Sequence, residues 1–186
     1  MVLKAPPIFE AVEAVRLGEA NGGIILMSPQ GKLFNQAVAT ELARKDQLIF
    51  ICGRYEGIDE RIKAIVTCEL SIGDYVLTNG ELPAMVIINS VIRLYPGVVG
   101  REESVYNDSF YGGGFLDYPQ YTRPPCYRGL SVPEVLLSGN HEEIRKWRRK
   151  ESLRLTKEKR PELLKEELLS EEDKLLLREI DKKDET

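Results

Sequence analysis

The chain has 186 residues, of which 42% are hydrophobic, so it can bury a core in one large domain or in two small ones. Its 26 basic and 30 acidic residues give a net charge of −4, which excludes a uniformly basic nucleic-acid-binding surface but not a local basic patch. Three cysteines without a Cys-x-x-Cys spacing argue against a disulfide framework or a zinc site, and because neither a signal peptide nor a membrane-length apolar run is found, we expect a cytoplasmic protein.

The first half of the sequence predicts alternating helices and strands. Residues 7–18 have the apolar spacing of a helix, and the apolar runs at residues 24–27 and 48–52 are typical of buried strands. A turn at residues 28–31 precedes an apolar stripe over residues 34–42, which predicts the next helix. This order implies an α/β fold with a parallel sheet, whose ligand loops lie at the carboxyl ends of the strands.

Two glycine-rich segments, residues 52–59 and 71–83, begin where apolar runs stop. Each combines glycine with acidic and aromatic residues, a composition expected of loops that close round a small ligand. Neither contains a Gly-x-Gly-x-x-Gly pattern or a Walker lysine loop, so motif alone indicates neither a dinucleotide nor a nucleoside triphosphate. The two segments predict one shared site for another kind of ligand.

Residues 82–94 predict a helix with Pro83 in its first turn and apolar residues around most of its circumference. Such a helix has to be covered on several sides. In a domain of this size a second subunit could provide the cover, and a helix packed wholly inside its own domain is the alternative. The pattern favours a homodimer.

The second half of the sequence predicts a linker and a further domain. Glycines break any period after residue 96, and we expect a first domain at residues 1–99, a flexible linker at residues 100–107 and a helical domain at residues 108–186. Asn140 and Ser170 are each followed by acidic residues in the manner of a capping box, so helices should begin there.

Residues 141–160 carry nine basic and four acidic residues, a local net charge of +5. Such a helix can neutralise several phosphates, although a solvated helical face is the usual meaning of a basic run. Trp147 within it could simply anchor the helix to its own core. His141, the only histidine, stands at the predicted helix start, which favours a structural role over a catalytic triad or a metal site.

Asp108 stands among polar and glycine-rich neighbours, and Arg93 ends the apolar helix before it. An acid and a base on either side of a mobile segment could act as a proton acceptor and an oxyanion stabiliser once a substrate orders them. From the pattern alone, a turn-forming aspartate is the favoured interpretation.

Six segments carry a family resemblance in unbroken order: residues 26–31, 52–61, 71–84, 107–109, 121–124 and 136–141. They are similar to the TrmD family of bacterial tRNA (guanine-N1)-methyltransferases, which belongs to the SPOUT superfamily. The resemblance implies a parallel sheet with a deep trefoil knot, a small C-terminal helical domain that grips the anticodon stem-loop of tRNA, and an obligate homodimer without a DNA or membrane partner. Periodicity would not predict the knot, because chains almost never thread their loops.

The resemblance also implies that three loops bind S-adenosylmethionine, while Mg²⁺ as an additional cofactor stays open and no metal ligand is implied. The expected cofactor-binding residues are Met27, Ser28, Pro29, Gly53, Tyr55, Glu56, Gly57, Ile72, Gly73, Asp74, Tyr75, Val76, Leu77, Gly80 and Pro83. Glycine lets backbone groups approach adenine and ribose closely, and the apolar side chains in this set can form the walls of such a site.

The family methylates N1 of the guanosine at position 37, just 3′ of the anticodon. N1 carries a proton at neutral pH, so the reaction needs a base on that proton and positive charge near O6. By the resemblance, Asp108 and Arg93 fill these two catalytic roles, with Asp108 of one subunit serving a cofactor bound by the other. Ser109 would contact the target base, which must leave the loop stack. Arg145, Arg148 and Arg149 would contact tRNA phosphates.

Family members carry about sixty residues ahead of the position that matches Met1, and this sequence has none of them. Two other hypotheses therefore stay open. One is a catalytically impaired fragment that binds the cofactor or RNA. The other is a knotted methyltransferase that acts on a different RNA.

Overall fold

The computed structural model describes residues 1–18, 21–99, 108–111 and 114–184. The chain divides into two compact units, Met1–Glu102 and Glu103–Thr186. The predicted linker at residues 100–107 lies outside the described residues. Within the described ranges, no helix is both long and apolar enough to cross a membrane.

The first unit alternates helices and strands as the sequence predicted. In chain order its elements are α1 (Ala5–Val15), β1 (Gly22–Leu33), α2 (Gln36–Leu42), β2 (Gln47–Cys52), a 3-10 turn (Glu60–Ala64), β3 (Cys68–Ser71) and α3 (Glu81–Ile92). The strands form one sheet in which β1 is central and pairs in parallel with β2 on one side and β3 on the other. The prediction of an α/β fold with a parallel sheet is confirmed.

Alternate side chains of β1 enter two different apolar layers, because successive residues of a strand point to opposite faces. Ile25 and Met27 pack with the buried faces of α2 and α3. Ile24 and Leu26 pack with α1 and with Ile62 of the 3-10 turn. Helices on both faces explain why this strand is a continuous apolar run.

The turn predicted at residues 28–31 is instead a bulge within β1. The strand re-enters the sheet after it, since Met27 and Lys32 both pair with Leu70 of β3. Gly31 makes this possible, because a Cβ at that position would lie 2.5 Å from the backbone nitrogen of Leu70. Proline and glycine were correctly taken as a break in the strand, but they interrupt its register rather than end it.

The second unit is built on two long helices, α4 (His141–Lys159) and α5 (Glu171–Asp184), which enclose a small core of Phe115, Leu153 and Ile180. A short antiparallel hairpin, β4 (Cys126–Tyr127) with β5 (Leu130–Ser131), precedes them. Among the described residues of this unit, the other regular segments are 3-10 turns at Glu134–Leu137, Pro161–Leu163 and Glu166–Leu168.

Both long helices begin where the capping signals predicted. The Asn140 side chain accepts hydrogen bonds from the backbone N–H groups of Glu142 and Glu143, at 3.2 and 3.3 Å. Ser170 and Asp173 form a reciprocal capping box: the Ser170 hydroxyl accepts from the Asp173 N–H at 3.2 Å, and the Asp173 carboxylate accepts from the Ser170 N–H at 2.9 Å.

Candidate functional site

A cleft of about 420 Å³ opens where the bulge of β1 meets the loops that follow β2 and β3. Every residue expected to bind the cofactor lines this cleft except Asp74, which is exposed outside the lining. The cleft also includes residues outside the expected cofactor-binding set, among them Gln30, Arg54, Ile58, Glu60, Lys63, Thr78 and Asn79. All of these except Lys63 belong to segments that carried the site prediction or the family resemblance, so of these only Lys63 is identified by the folded chain alone.

Gly80 holds the two glycine-rich segments together. Its backbone N–H donates a hydrogen bond to the Gly53 carbonyl at 2.9 Å, and Arg54 pairs with Asn79 in an antiparallel bridge. A Cβ on Gly80 would lie 2.8 Å from the Cα of Cys52 and 2.9 Å from the Gly53 nitrogen. These contacts are closer than side chains tolerate, so glycine is required here for close approach of the backbones.

The loop after β3 folds back on itself and exposes apolar side chains at the cleft rim. The Ser71 hydroxyl bonds with both the N–H and the carbonyl of Gly73, each at 3.2 Å. Gly73 has φ +148°, and a Cβ on it would lie 2.5 Å from the Tyr75 ring. Val76 is left 87% exposed beside the half-exposed Leu77. Apolar groups presented in this way are available to a ligand or a partner.

The loop after β2 is held by the first residues of the chain. The N–H of Glu56 donates to the Met1 carbonyl at 3.1 Å, and the N–H of Leu3 donates to the Gly57 carbonyl at 3.0 Å. Tyr55 adopts the left-handed conformation, with φ +64°, and its ring lies 5.4 Å from the Arg54 guanidinium carbon. A non-glycine residue in this conformation marks a loop shaped by its surroundings.

The described residues contain no group of three or more His, Cys, Asp or Glu side chains that could hold a metal ion. Burial, together with the negative charge of Glu81, raises the pKa of the Cys52 thiol at the end of β2. A thiol with a raised pKa is a poor nucleophile and a poor metal ligand. The cleft itself presents backbone groups, apolar walls and a few polar side chains.

Asp108 lines a pocket of about 280 Å³ in the second unit, whose walls are Asp108, Tyr111, residues 115–118 and one face of α4. Two buried hydroxyls fasten this segment to the helix. Thr156 accepts a hydrogen bond from the Leu116 N–H at 3.0 Å, and Ser152 donates to the Leu116 carbonyl at 2.5 Å. The Ser109 hydroxyl accepts from the Asp117 N–H at 2.8 Å, so this predicted base contact also shapes its own loop.

Arg93 belongs to the first unit, where it is the C-cap residue of α3. His141 begins α4 and lines the same second-unit pocket as Asp108. Trp147 lies half-buried with its ring centroid 6.2 Å from that of the exposed Tyr121, and its role as an anchor to the core stays a prediction.

Acids of α5 offset much of the positive charge that the sequence assigned to α4. Arg145 pairs with Glu142 of its own helix and, at 2.7 Å, with Glu172 of α5. Lys150 and Lys157 reach α5 acids in the same way, each at 2.6 Å. The count of +5 along residues 141–160 could not include these acids, because they come later in the chain.

Arg149 is the most buried of the three arginines expected to contact phosphate. It donates two hydrogen bonds to Asp173, at 2.6 and 2.9 Å, and the Asp173 side chain is 2% exposed. Burial raises the pKa of Asp173, but hydrogen bonds from Arg149 and Ser170 outweigh burial, and the pKa lies below its usual value. This pair joins α4 to α5.

The substitution Asp173→Ala should lower the free energy of unfolding of the second unit by about 3 kcal/mol. Arg149 would lose its partner, and Ser170 would lose the carboxylate that completes the helix cap. Urea unfolding of the full chain, followed by the fluorescence of Trp147, the only tryptophan, measures the loss. Asp181→Ala, which breaks an exposed pair of the same two helices, should cost less than about 1 kcal/mol. Equal losses for the two variants would contradict a special role for Asp173.

The difference in unfolding free energy between the native chain and Asp173→Ala should also depend on pH. Because the pKa of Asp173 is lowered in the folded chain, its stabilisation is present above the unfolded pKa of about 3.9 and is lost as pH falls through the folded value. The stability difference between the native chain and Asp173→Ala should therefore shrink below about pH 4. A difference that stays constant on acidification would show that the carboxylate charge does not matter.

Comparisons of the sequence with a family profile and with individual proteins agree on one family. The family profile described as tRNA (Guanine-1)-methyltransferase TrmD matches residues 1–166. The tRNA (guanine-N(1)-)-methyltransferase of Dictyoglomus turgidum is 56% identical over 182 residues, which cover 98% of this chain and 73% of the relative. The protein of the same name from Moorella thermoacetica is 58% identical over 187 aligned positions, 99% of this chain and 74% of the relative.

Proposed function

This chain belongs to the tRNA (guanine-1)-methyltransferase TrmD family, and from that premise we propose that it methylates N1 of the guanosine at position 37 of tRNA. The chain is a transferase that acts on tRNA. The observation that carries the proposal is the convergence of three loops on one cleft at an edge of the parallel sheet. A tRNA substrate also fits the expected cytoplasmic location.

The cleft suits S-adenosylmethionine in size and in the chemistry of its walls. Its volume of about 420 Å³ falls within the range of small-molecule sites, about 300–1,000 Å³. Ile72 and Leu77 offer apolar surface to the adenine ring, and no Cβ keeps the backbones of Gly53 and Gly57 away from ribose. When bound, S-adenosylmethionine supplies a methyl group carried on a positively charged sulfur.

The residues of this chain must remove a proton from guanine and stabilise the charge that results. We propose that the Asp108 carboxylate accepts the N1 proton and that the Arg93 guanidinium faces O6, where negative charge develops. Asp108 is half-buried in its pocket. The backbone of Leu116, in the same pocket wall, is hydrogen-bonded to Thr156 of α4, and this bond helps to hold the wall in place. Ser109, one residue on, would contact the same base.

We propose that the enzyme is a homodimer in which Asp108 of one subunit serves the cofactor cleft of the other. The support is the outer face of α3. While Ile87 and Val91 lie in the core, Met85 is 64% exposed and its apolar neighbours Leu82 and Val86 are also exposed. The exposed rim of the cleft loop is apolar as well, so a second copy would cover both surfaces.

The division of the chain into two compact units supports a separate binding role for each unit. We propose that residues 1–99 bind the cofactor, that residues 108–186 bind tRNA, and that residues 100–107 link them. The deep trefoil knot is part of the same proposal. Its support is the membership of the chain in this family.

Methyl transfer to two tRNA transcripts, with guanosine or adenosine at position 37, tests the proposed function. Radiolabel from S-adenosylmethionine should enter only the guanosine transcript, and the enzyme from Moorella thermoacetica provides a positive control. Equal labelling of both transcripts would favour a methyltransferase that acts elsewhere on RNA. Cofactor binding without transfer would favour a fragment that only binds.

A further inference from the structure

We infer that the second unit binds two consecutive nucleotides of its RNA substrate in two adjoining pockets, with Arg148 on the phosphate between them. This inference rests on the proposed function and adds a specific contact surface to it. It is based on two adjoining pockets, on the ion pairs formed by the other arginines of α4, and on the stacking of Arg148 on Tyr118.

Two pockets of nearly equal size lie side by side on this unit. The pocket that contains Asp108 measures about 280 Å³, and its neighbour measures about 290 Å³. Tyr118, Ile144 and Arg148 line both pockets and therefore form the ridge between them. Each volume is near the lower limit of about 300 Å³ for small-molecule sites, which suits a single base better than a whole cofactor.

Arg148 is distinguished from the other arginines of α4 by its charge environment. Arg145, Arg149 and Arg154 each form an ion pair with a carboxylate. In the part of the chain that the structure describes, Arg148 has no ion pair; it is exposed and its guanidinium carbon lies 4.9 Å from the centroid of the Tyr118 ring. Its positive charge is thus left for an anion.

The stacked geometry suits a phosphate of an RNA chain. A guanidinium laid over an aromatic ring is held in place by the ring and still presents N–H donors at its edge. Those donors match the oxygens of a phosphodiester. The ridge separates the two pockets. A phosphodiester bound to Arg148 would therefore place the base of one flanking nucleotide in each pocket.

The walls of the two pockets suit unstacked bases. Tyr111 and His141 contribute ring surfaces to the first pocket, and Tyr121 and Leu137 contribute aromatic and apolar surface to the second. Proteins commonly read single-stranded loops of RNA by stacking splayed bases on such side chains. Asp108 lines the first pocket, so the nucleotides held here should be close to the guanosine that is methylated.

The test compares Arg148→Gln with Arg154→Gln in the full chain. Both variants lose one positive charge from the same helix, but Arg154 pairs with Glu151 and lines neither pocket. Binding of a fluorescent anticodon stem-loop RNA is measured by anisotropy over a series of KCl concentrations. Arg148→Gln should weaken binding about tenfold at low salt and reduce the slope of log affinity against log salt by about 0.7–0.9, the value for one phosphate contact. Arg154→Gln should leave the slope unchanged.

Equal slopes for Arg148→Gln and the native chain would overturn the inference, and so would an equal change in both variants. Tyr118→Leu gives a second measurement: it should raise the KM for tRNA, because Arg148 loses the ring on which it stacks, while the KM for S-adenosylmethionine stays at the native value, provided that Trp147 fluorescence shows a folded unit. If the native chain transfers methyl groups but Arg148→Gln and Tyr118→Leu both behave like it, the inference fails while the proposed function stands. Absence of transfer by the native chain would instead count against the function.

Discussion

Asp108→Asn should lower kcat for methyl transfer by about 10²- to 10⁴-fold, the range associated with loss of a general base. The amide keeps the size and shape of the carboxylate but cannot accept the N1 proton of guanine. Binding of S-adenosylmethionine should be unaffected, because Asp108 is not among the residues that line the proposed cofactor cleft. Single-turnover transfer and calorimetric titration of the cofactor measure the two effects separately.

Asp117→Asn is the matched control for this prediction. Asp117 lies in the same segment and lines the same pocket, but its side chain accepts hydrogen bonds from the Tyr118 N–H at 2.7 Å and from Gln120 at 3.2 Å. An asparagine can keep the bond to the Tyr118 N–H, so transfer should stay within about threefold of the native rate. A native rate for Asp108→Asn, or equal losses in both variants, would remove Asp108 from the catalytic role.

Gly80→Ala should weaken S-adenosylmethionine binding by at least about tenfold and lower the stability of the first unit by about 1–3 kcal/mol. The backbone of Gly80, with φ −84° and ψ −8°, is open to any residue, so the effect is purely steric. The new methyl group would lie 2.8 Å from the Cα of Cys52, and the two cofactor loops would have to separate. Calorimetry measures the affinity, and urea unfolding measures the stability.

Gly23→Ala provides the comparison for Gly80→Ala. Gly23 lies in β1, and a Cβ there would meet the flexible methyl group of Leu48 at 3.2 Å rather than backbone. A small adjustment of Leu48 should accommodate it, with cofactor affinity unchanged. Native affinity in Gly80→Ala would show that close approach of the two loops is not needed for binding.

Local patterns predicted the helices and strands whose signals lie within a few residues. The strand β2 was a plain apolar run, and α4 and α5 begin at the capping residues Asn140 and Ser170. The strand β3 was not predicted, because Cys68–Ser71 is only four residues long, too short for its apolar–polar alternation to be distinctive. Its place in the sheet depends on long-range pairing with β1.

The proposed cofactor cleft was largely predictable because its residues are grouped in short glycine-bearing loops at the ends of strands. Motif and topology together pointed to one sheet edge, and the expected residues other than Asp74 line one cleft there. Lys63 lines it too, but nothing in its local sequence indicates that position. Its contribution follows from the place of the 3-10 turn at Glu60–Ala64, which packs against the sheet through Ile62.

The charge of α4 shows the limit of counting residues along a sequence. Arg145, Arg148 and Arg149 look equivalent in the basic run, yet only Arg148 lacks a carboxylate partner among the described residues. The difference arises from acids of α5, which lie more than twenty residues away and reach the helix only after folding. Position in the sequence therefore does not distinguish an arginine that pairs with an acid of α5 from an arginine that has no such partner.

Methyl transfer by a mixed dimer tests the account most directly. Asp108→Asn and Gly80→Ala chains with different affinity tags are co-expressed, and the heterodimer is isolated with both tags. The assay holds S-adenosylmethionine well below the Kd of Gly80→Ala, so that each variant alone should retain about a tenth or less of the native activity. The heterodimer should recover about half of the native activity, since one cleft is intact and faces an intact Asp108 from the other chain. No recovery in a purified heterodimer that still binds cofactor would contradict a site shared between two subunits.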